Sequence, residues 1–386
     1  RPEGFQSGGG RPDRFQPGAS QPGGVWPDES WPPRRPARRR RPRWVVRGAI
    51  AAAALAAGTA TALLVGGVPA KAPVAAGHSA ATKAAPAPKA SEPRASGPQG
   101  NEPVITVAGA KAVLAGYTSA NNTANARMSD GLLAAYETGS SYALDAGSYR
   151  QQAALKTGPY PAYGPVQTRF YIPREPAAYP HWFAVQVTNA LLVKPGQTRQ
   201  PANVEYLVFT QAAQGARWLE AAEPYVPRGG ATPQVVLDAG GFATAVAAGA
   251  TGLAVTPGQM AMATAQSLTG PGPVPPPGDL AISAELAYWQ RKLPKGTVTH
   301  VSQAPADGAV YGLRTQGGGA LLFYTDTAEL TMTAPPGQVF HLAVPGFYDS
   351  GQSLASADLV YLEQFAAYDP PAGTPRIVAL YSGITS

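Results

Sequence analysis

The sequence predicts an α+β protein with two tandem units, each of helices packed on a curved antiparallel sheet, behind a single transmembrane helix. Three observations predict this class. An uncharged run of 23 residues follows an arginine-rich tail. Beyond residue 103, apolar residues first recur at helical spacing and then alternate as in half-buried strands. This order of helices and then strands occurs twice, in stretches of similar length.

Five segments follow one another along the chain. The tail has no apolar period and buries too little surface to offset its chain entropy, so we expect disorder there. Prolines keep the linker extended as a spacer between the membrane and the folded part. The predicted bounds are 1–43 for the Arg/Pro/Gly-rich cytoplasmic tail, 44–70 for the transmembrane helix, 71–102 for the Ala/Pro-rich linker, 103–230 for the first unit and 231–386 for the second.

The run from Gly48 to Ala70 is the predicted membrane span. At about 1.5 Å per residue it reaches about 34 Å, against a hydrocarbon core of about 30 Å. The arginines from Arg34 to Arg47 precede it, so we expect a cytoplasmic N-terminus and an extracytoplasmic C-terminal body at the cell membrane. These arginines are also placed to bind anionic lipid. The alternative is a cleaved signal peptide ending near Val68-Pro69-Ala70, and the downstream part is exported in either case.

The first unit begins with helices. Thr106 is placed to cap a helix that continues to about Ala126. Two further helices are predicted, from about Asp130 to Gly139 and from about Ser148 to Leu155. Four strand candidates follow, at residues 166–172, 182–193, 202–212 and 216–225.

The second unit repeats this order. Thr256-Pro257 starts a helix, because proline is favoured in the first helical turn. A second helix is predicted from about Asp279 to Lys292. Strand candidates follow at residues 297–303, 309–315, 320–333, 359–368 and 376–381.

Charge and cysteine content exclude several classes of function. Residues 1–47 contain eleven arginines and four acids, and so they supply the whole net charge of +7. The exported part is therefore neutral and lacks the basic surface that binds nucleic acid. No cysteine is present, which excludes disulfides, thiolate metal sites and thiol catalysis. Common catalytic motifs are absent and the four histidines are scattered, so we expect neither a cofactor nor a metal site.

The order of elements resembles the NTF2-like (cystatin-like) cone, in which helices are wrapped by a curved sheet. The runs NNTANARMSDGLLAAYETGSSYALDAGSYRQQ, FYIPR and YPHWFAV resemble an uncharacterised family of actinobacterial membrane proteins and lipoproteins. This resemblance covers residues 104–386 and implies a membrane anchor and an exported body, but no activity. Tandem NTF2-like domains behind one membrane helix also look like scaffold proteins of Gram-positive conjugation channels.

Some NTF2-like cones are enzymes, with an Asp or His and Tyr partners in the pocket. The resemblance implies five pocket candidates here, namely Tyr117, Asp130, Tyr136, Asp145 and Tyr149. A carboxyl in such a pocket has a raised pKa and suits a general base. The alternative is structural: Asp130 caps a helix, Asp145 lies in an Asp-Ala-Gly turn, and the tyrosines pack against the sheet.

Two further acids are close in sequence. Glu220 and Glu223 are three residues apart on a predicted strand, which puts them on opposite faces unless a bulge intervenes.

The leading functional hypothesis is a non-enzymatic, membrane-anchored extracytoplasmic protein, a scaffold or protein-interaction module with a protein partner in the bacterial envelope. The alternative is a small-molecule-binding or hydrolytic protein that uses the cone pocket.

Overall fold

The computed structural model describes residues 102–174, 179–192, 201–275, 281–306 and 309–386. The predicted tail, transmembrane helix (44–70) and linker up to residue 101 lie outside these residues and stay predictions. None of the helices within the described residues is both long and apolar enough to cross a membrane.

Three helices open the described part of the chain: α1 (Val107–Arg127), α2 (Asp130–Leu133) and α3 (Gly139–Leu155). The predicted cap is confirmed, because the Thr106 hydroxyl accepts a hydrogen bond from the Gly109 amide at 3.0 Å. The prediction of one helix over 130–139 and a short one over 148–155 is wrong. The backbone at residues 136–138 instead bonds to Glu220, with Thr138 N to Glu220 O and Glu220 N to Tyr136 O both at 2.8 Å. Gly139 then starts α3 with a φ of 55°, which glycine adopts without strain.

Fourteen strands are found in the described residues. In chain order they are β1 (Tyr163–Tyr171), β2 (Pro173–Arg174), β3 (His181–Leu191), β4 (Pro201–Gln211), β5 (Leu219–Ala222), β6 (Tyr225–Val226), β7 (Ala243–Thr244), β8 (Val298–Pro305), β9 (Tyr311–Arg314), β10 (Ala320–Thr333), β11 (Phe340–His341), β12 (Ser353–Leu354), β13 (Ser356–Asp369) and β14 (Arg376–Ile384). Most match predicted strands within a few residues. The predicted strand over 216–225 is interrupted, because β5 and β6 are separated by Glu223 and Pro224, and proline has no amide to donate.

One large antiparallel sheet joins both halves of the chain. Its order is β1-β3-β4-β6-β14-β13-β10-β8, with β5 beside β4 and β9 beside β10. The halves meet where Tyr225 of β6 lies opposite Leu380 of β14. The predicted α+β class is therefore confirmed, and both predicted units contribute strands to a single sheet. That each unit is an NTF2-like cone, with bounds at 103–230 and 231–386, stays a prediction.

The second half carries the helices α4 (Met260–Thr269) and α5 (Ala281–Lys292). The Pro257–Gln259 turn leads into α4, as the Thr-Pro start signal predicts. The hydroxyls of Thr264 on α4 and Tyr324 on β10 lie 2.7 Å apart, which fixes this helix on the sheet. The aromatic residues Tyr288 and Trp289 of α5 are buried with the apolar side chains of β10 and β13.

The sheet curls on itself around a shared core. Tyr206 of β4 and Phe323 of β10 have ring centroids 5.3 Å apart, and Trp182 of β3 and Tyr311 of β9 lie at 5.2 Å. In the sheet order, β4 and β10 are four strand steps apart. Four steps in a flat sheet would separate them by about 19 Å, at about 4.8 Å per strand. Strong curvature therefore brings the inner faces of the two halves together.

Candidate ligand-binding groove and buried carboxyl cluster

Five acidic side chains gather between α3 and the sheet. We call them the carboxyl cluster: Glu137, Asp145, Glu205, Glu220 and Glu223. All but Asp145 are buried, with exposed fractions of at most 6% (Glu223), and Asp145 is half-buried. They come from distant parts of the sequence, since Asp145 lies on α3, Glu205 on β4 and Glu220 on β5. This cluster is the most unusual feature of the described interior, because isolated acids are almost never fully buried.

Backbone pairing explains how Glu137 and Glu220 meet. An isolated parallel bridge joins the two residues, outside the regular sheet. The same pairing accounts for the early end of α2. The chain leaves the predicted helix at this point, and Glu137 is thereby brought next to Glu220. Burial raises the pKa of Glu137 most, and the charges of Asp145 and then Glu220 raise it further.

A bulge brings Glu220 and Glu223 to the same interior. In the pairing of β4 with β5, Phe209 lies opposite Glu220 while the next residue of β4, Val208, lies opposite Ala222, so Ala221 is the extra residue. Both glutamates are buried, and the charge of Glu220 raises the pKa of Glu223. The exception stated with the expectation of opposite faces therefore applies, because the bulge reverses the alternation.

In the part of the chain that the structure describes, the side chains that donate hydrogen bonds to the cluster carboxyls are neutral. The bonds are Tyr381 Oη to Asp145 Oδ1 at 3.1 Å, Asn121 Nδ2 to Glu137 Oε1 at 3.2 Å, Ser141 Oγ to Glu220, and Asn189 Nδ2 to Glu205. Among the described residues, the one ion pair joins Arg174 to Asp238, outside the cluster. The cluster therefore has no countercharge from these residues.

Burial sets the protonation of these acids. It raises the pKa of all five, and the negative charges of neighbouring members raise the pKa of Glu137, Glu205, Glu220 and Glu223 further. The hydrogen bond from Tyr381 partly lowers the pKa of Asp145. The protonated form is therefore favoured for the four glutamates, and less so for Asp145, whose pKa rises only to about 6. Across the described residues, no three or more His, Asp or Glu side chains are placed to hold a metal ion.

An open groove of about 560 Å³ lies over this region, between α1 and α2. We call it the α1–α2 groove. Small residues of α1 form one wall, and Leu132 and Ala135 lie across from them. The rings of Tyr117, Tyr136 and Trp218 complete the lining, with Arg217 beside them. None of the five cluster acids lines it.

Tyrosines connect the groove to the cluster. Tyr117 accepts a hydrogen bond at its hydroxyl from Asn121 Nδ2 at 3.0 Å, and the same amide contacts Glu137. Tyr136 donates to the Ala120 carbonyl at 2.8 Å and packs edge-to-face on Tyr117, with centroids 5.9 Å apart. A ligand in the groove would thus rest on phenol rings whose polar ends are held by a buried network.

The structure gathers four of the five predicted pocket residues. Tyr117 and Tyr136 line the groove, while Tyr149 and Asp145 lie in the network beneath it, with Tyr149 Oη donating to Asn125 Oδ1 at 2.7 Å. Asp145 lies in the middle of α3, so the turn assigned to it is wrong. Asp130 is exposed as the first residue of α2, its cap residue is Ser129, and it has no place in the groove lining.

Sequence reasoning missed Glu137, Glu205 and Asn121 as parts of this region. One usable signal was present. Glu205 interrupts the apolar strand VEYLVF, and a charged residue within a run that is otherwise buried needs a polar partner inside the protein. Asn189, on the neighbouring β3, is that partner.

Fold and site together describe an α+β protein with one curled sheet, a helical layer and an apolar groove beside a buried cluster of carboxyl groups. The chain belongs to the family described as "Domain of unknown function (DUF8094)", which matches residues 101–386. It is 29% identical over 296 residues to an uncharacterised lipoprotein of Streptomyces coelicolor, which covers 74% of this chain and 86% of that protein. A second uncharacterised lipoprotein of the same organism is 29% identical over 151 residues, 38% of this chain and 40% of that protein. No solved structure matches the chain at a significant level.

Proposed function

We propose that this protein is an extracytoplasmic, membrane-anchored binding protein whose small-molecule ligand enters the α1–α2 groove. The membrane anchoring is supported by the two relatives named as lipoproteins and by the arginine-flanked apolar run at residues 44–70. Binding of anionic lipid by the arginines from Arg34 to Arg47 is part of the same proposal.

The observation that carries the binding role is the groove itself. Its volume of about 560 Å³ is within the range of about 300–1,000 Å³ common for small-molecule sites. Its lining is mostly apolar and aromatic, and its polar members are Tyr117, Thr123, Tyr136 and Arg217. This combination of apolar walls and a few convergent polar groups is typical of ligand sites.

The proposal involves no reaction. The cluster acids are separated from the groove by the tyrosines and take no part in its lining. Their role in the proposal is to hold Tyr117 and Tyr136 in place through a buried hydrogen-bond network. We therefore propose binding without turnover.

Filling the groove tests this role. A side chain at Gly116 would extend into open space, since an added Cβ meets nothing within 4 Å. We expect the neutral fluorophore phenylnaphthylamine to bind the full chain and gain fluorescence, and Gly116→Phe to weaken that binding by about tenfold or more. Ala115→Phe is the control, because it places the same side chain at an exposed neighbour on α1 outside the groove.

Two results would count against the binding role. One is the absence of fluorescence gain with the wild-type chain. The other is equal binding by Gly116→Phe and Ala115→Phe when circular dichroism shows both folded.

A second candidate is a scaffold or protein-interaction role in the envelope. It is favoured by β8, which lies at the end of the sheet and pairs, among the described strands, with β10 alone. Val298 on this strand is 65% exposed. Open strands of this kind accept a strand from a partner. The role would be supported if the wild-type chain captures a partner from intact membranes and the Val298→Asp chain does not. Capture of the same proteins by the two chains would contradict it.

A further inference from the structure

Arg217 gives the α1–α2 groove a charge. Its side chain is exposed and belongs to the groove lining beside Trp218. It makes no ion pair and no hydrogen bond with the other described residues. Since none of the described residues that line the groove is acidic, this guanidinium is available to a ligand.

The wall of the groove fits an apolar chain. Ala112, Gly116 and Ala120 are four residues apart on α1 and so lie on one face of the helix. At about 1.5 Å per residue they form an apolar strip about 12 Å long. Side chains this small leave room for a ligand to approach the helix backbone closely.

We propose that the ligand is a free single-chain amphiphile with an anionic head group, such as a carboxylate or a phosphate monoester, whose chain lies on this strip while the head group pairs with Arg217. This inference rests on the proposed binding role and adds the chemical class of the ligand.

The opposite charge is disfavoured by the same lining. A cationic ligand would gain contact with the rings of Trp218 and the two tyrosines, but it would lie beside Arg217 with no carboxylate in the groove to receive it. Three of the acids beneath the floor do not repel an anion strongly, because burial raises the pKa of Glu137, Glu220 and Glu223. Asp145, whose pKa rises only to about 6, lies on α3 and does not line the groove.

Two fluorophores of similar shape test the charge preference on the full chain. Anilinonaphthalene sulfonate is anionic, and phenylnaphthylamine is neutral. We expect Arg217→Gln to weaken sulfonate binding about fivefold or more and to leave phenylnaphthylamine binding within about twofold. Arg228→Gln, at another exposed arginine outside the groove, should change neither.

Competition then identifies the source of the anion. We expect decanoate to displace the bound sulfonate from the wild-type chain at lower concentration than decanol does. Displacement by anionic phospholipid vesicles and not by decanoate would overturn the proposal in favour of a membrane surface.

The outcomes separate the two proposals. If phenylnaphthylamine binds and Gly116→Phe abolishes its binding, while Arg217→Gln leaves sulfonate binding intact, the binding role stands and the anionic class is wrong. If neither fluorophore binds, the binding role itself fails.

Discussion

Replacing Asp326 by asparagine is expected to make the stability of the protein less dependent on pH. Asp326 on β10 lies directly opposite Glu363 on β13, and both are fully buried. Gln303 Nε2 contacts both carboxyls, at 3.3 Å to Asp326 Oδ2 and 2.8 Å to Glu363 Oε2. Burial first, and then the charge of Glu363, raises the pKa of Asp326 to about 8, while the Gln303 contact opposes the rise.

The size of the effect follows from this raised pKa. In the unfolded chain the same carboxyl titrates near 3.8, so between this value and about 8 the folded state keeps a proton that the unfolded state has released. The stability that Asp326 contributes is fully present below its pKa in the unfolded chain. It is lost as the pH rises through its pKa in the folded protein. The free energy of unfolding should fall by about 1.4 kcal/mol per pH unit from this one group. From pH 5 to pH 7 the loss is about 3 kcal/mol, which Asp326→Asn should not suffer.

Urea unfolding at pH 5 and pH 7 measures this difference. Asparagine has the shape of aspartic acid and can still accept from Gln303, so the two chains should be similar at pH 5 and Asp326→Asn more stable at pH 7. Glu329→Gln, at an exposed acid three residues along the same strand, is the control for loss of a charge. The reasoning is refuted if Asp326→Asn loses as much stability between the two values as the wild-type chain does.

Two further predictions concern the helices. Gly147→Ala on α3 should destabilise the protein by about 1–3 kcal/mol, because the new Cβ would lie 2.3 Å from the Ile384 carbonyl oxygen. Gly116→Ala on α1, where the Cβ meets open space, should instead stabilise the protein by about 0.5–1 kcal/mol. If the urea midpoints of the two glycine variants move in the same direction, this contrast is contradicted. Thr106→Ala removes the cap bond to the Gly109 amide and should lower the free energy of unfolding by about 1 kcal/mol. Thr106→Ser keeps a hydroxyl and should retain most of this stability. Equal losses for the two variants in thermal unfolding would argue against the cap.

Local pattern made most of the secondary structure predictable. The cap at Thr106 and the start at Thr256-Pro257 were recognised because these signals act on adjacent residues. The strand β10 (Ala320–Thr333) agrees with its predicted bounds, since seven consecutive buried residues are followed by a run that alternates between the two faces. The error at 130–139 arose where distant backbone segments bond to each other, as between Tyr136 and Glu220. The error at 216–225 arose at Pro224, which has no amide to donate to the sheet.

The candidate site was predictable in part. Tyr117 and Tyr136 were among the pocket candidates that the resemblance to NTF2-like cones implies, and both line the groove. The role of Glu205 and Glu220 could not be found from spacing, because one lies on β4, the other on β5, and a bulge at Ala221 decides which way the second strand faces.

The sequence alone determined the α+β class, the order of helices and strands, the neutral charge of the body and the arginine-flanked run that predicts export. These properties depend on composition and on residues near one another in the chain. Only the tertiary structure decided that Tyr225 and Leu380 would join both halves in one curled sheet, and that acids from α3, β4 and β5 would share one interior. Pairing between strands more than 150 residues apart is set by the packing of the whole core, and no short-range pattern encodes it.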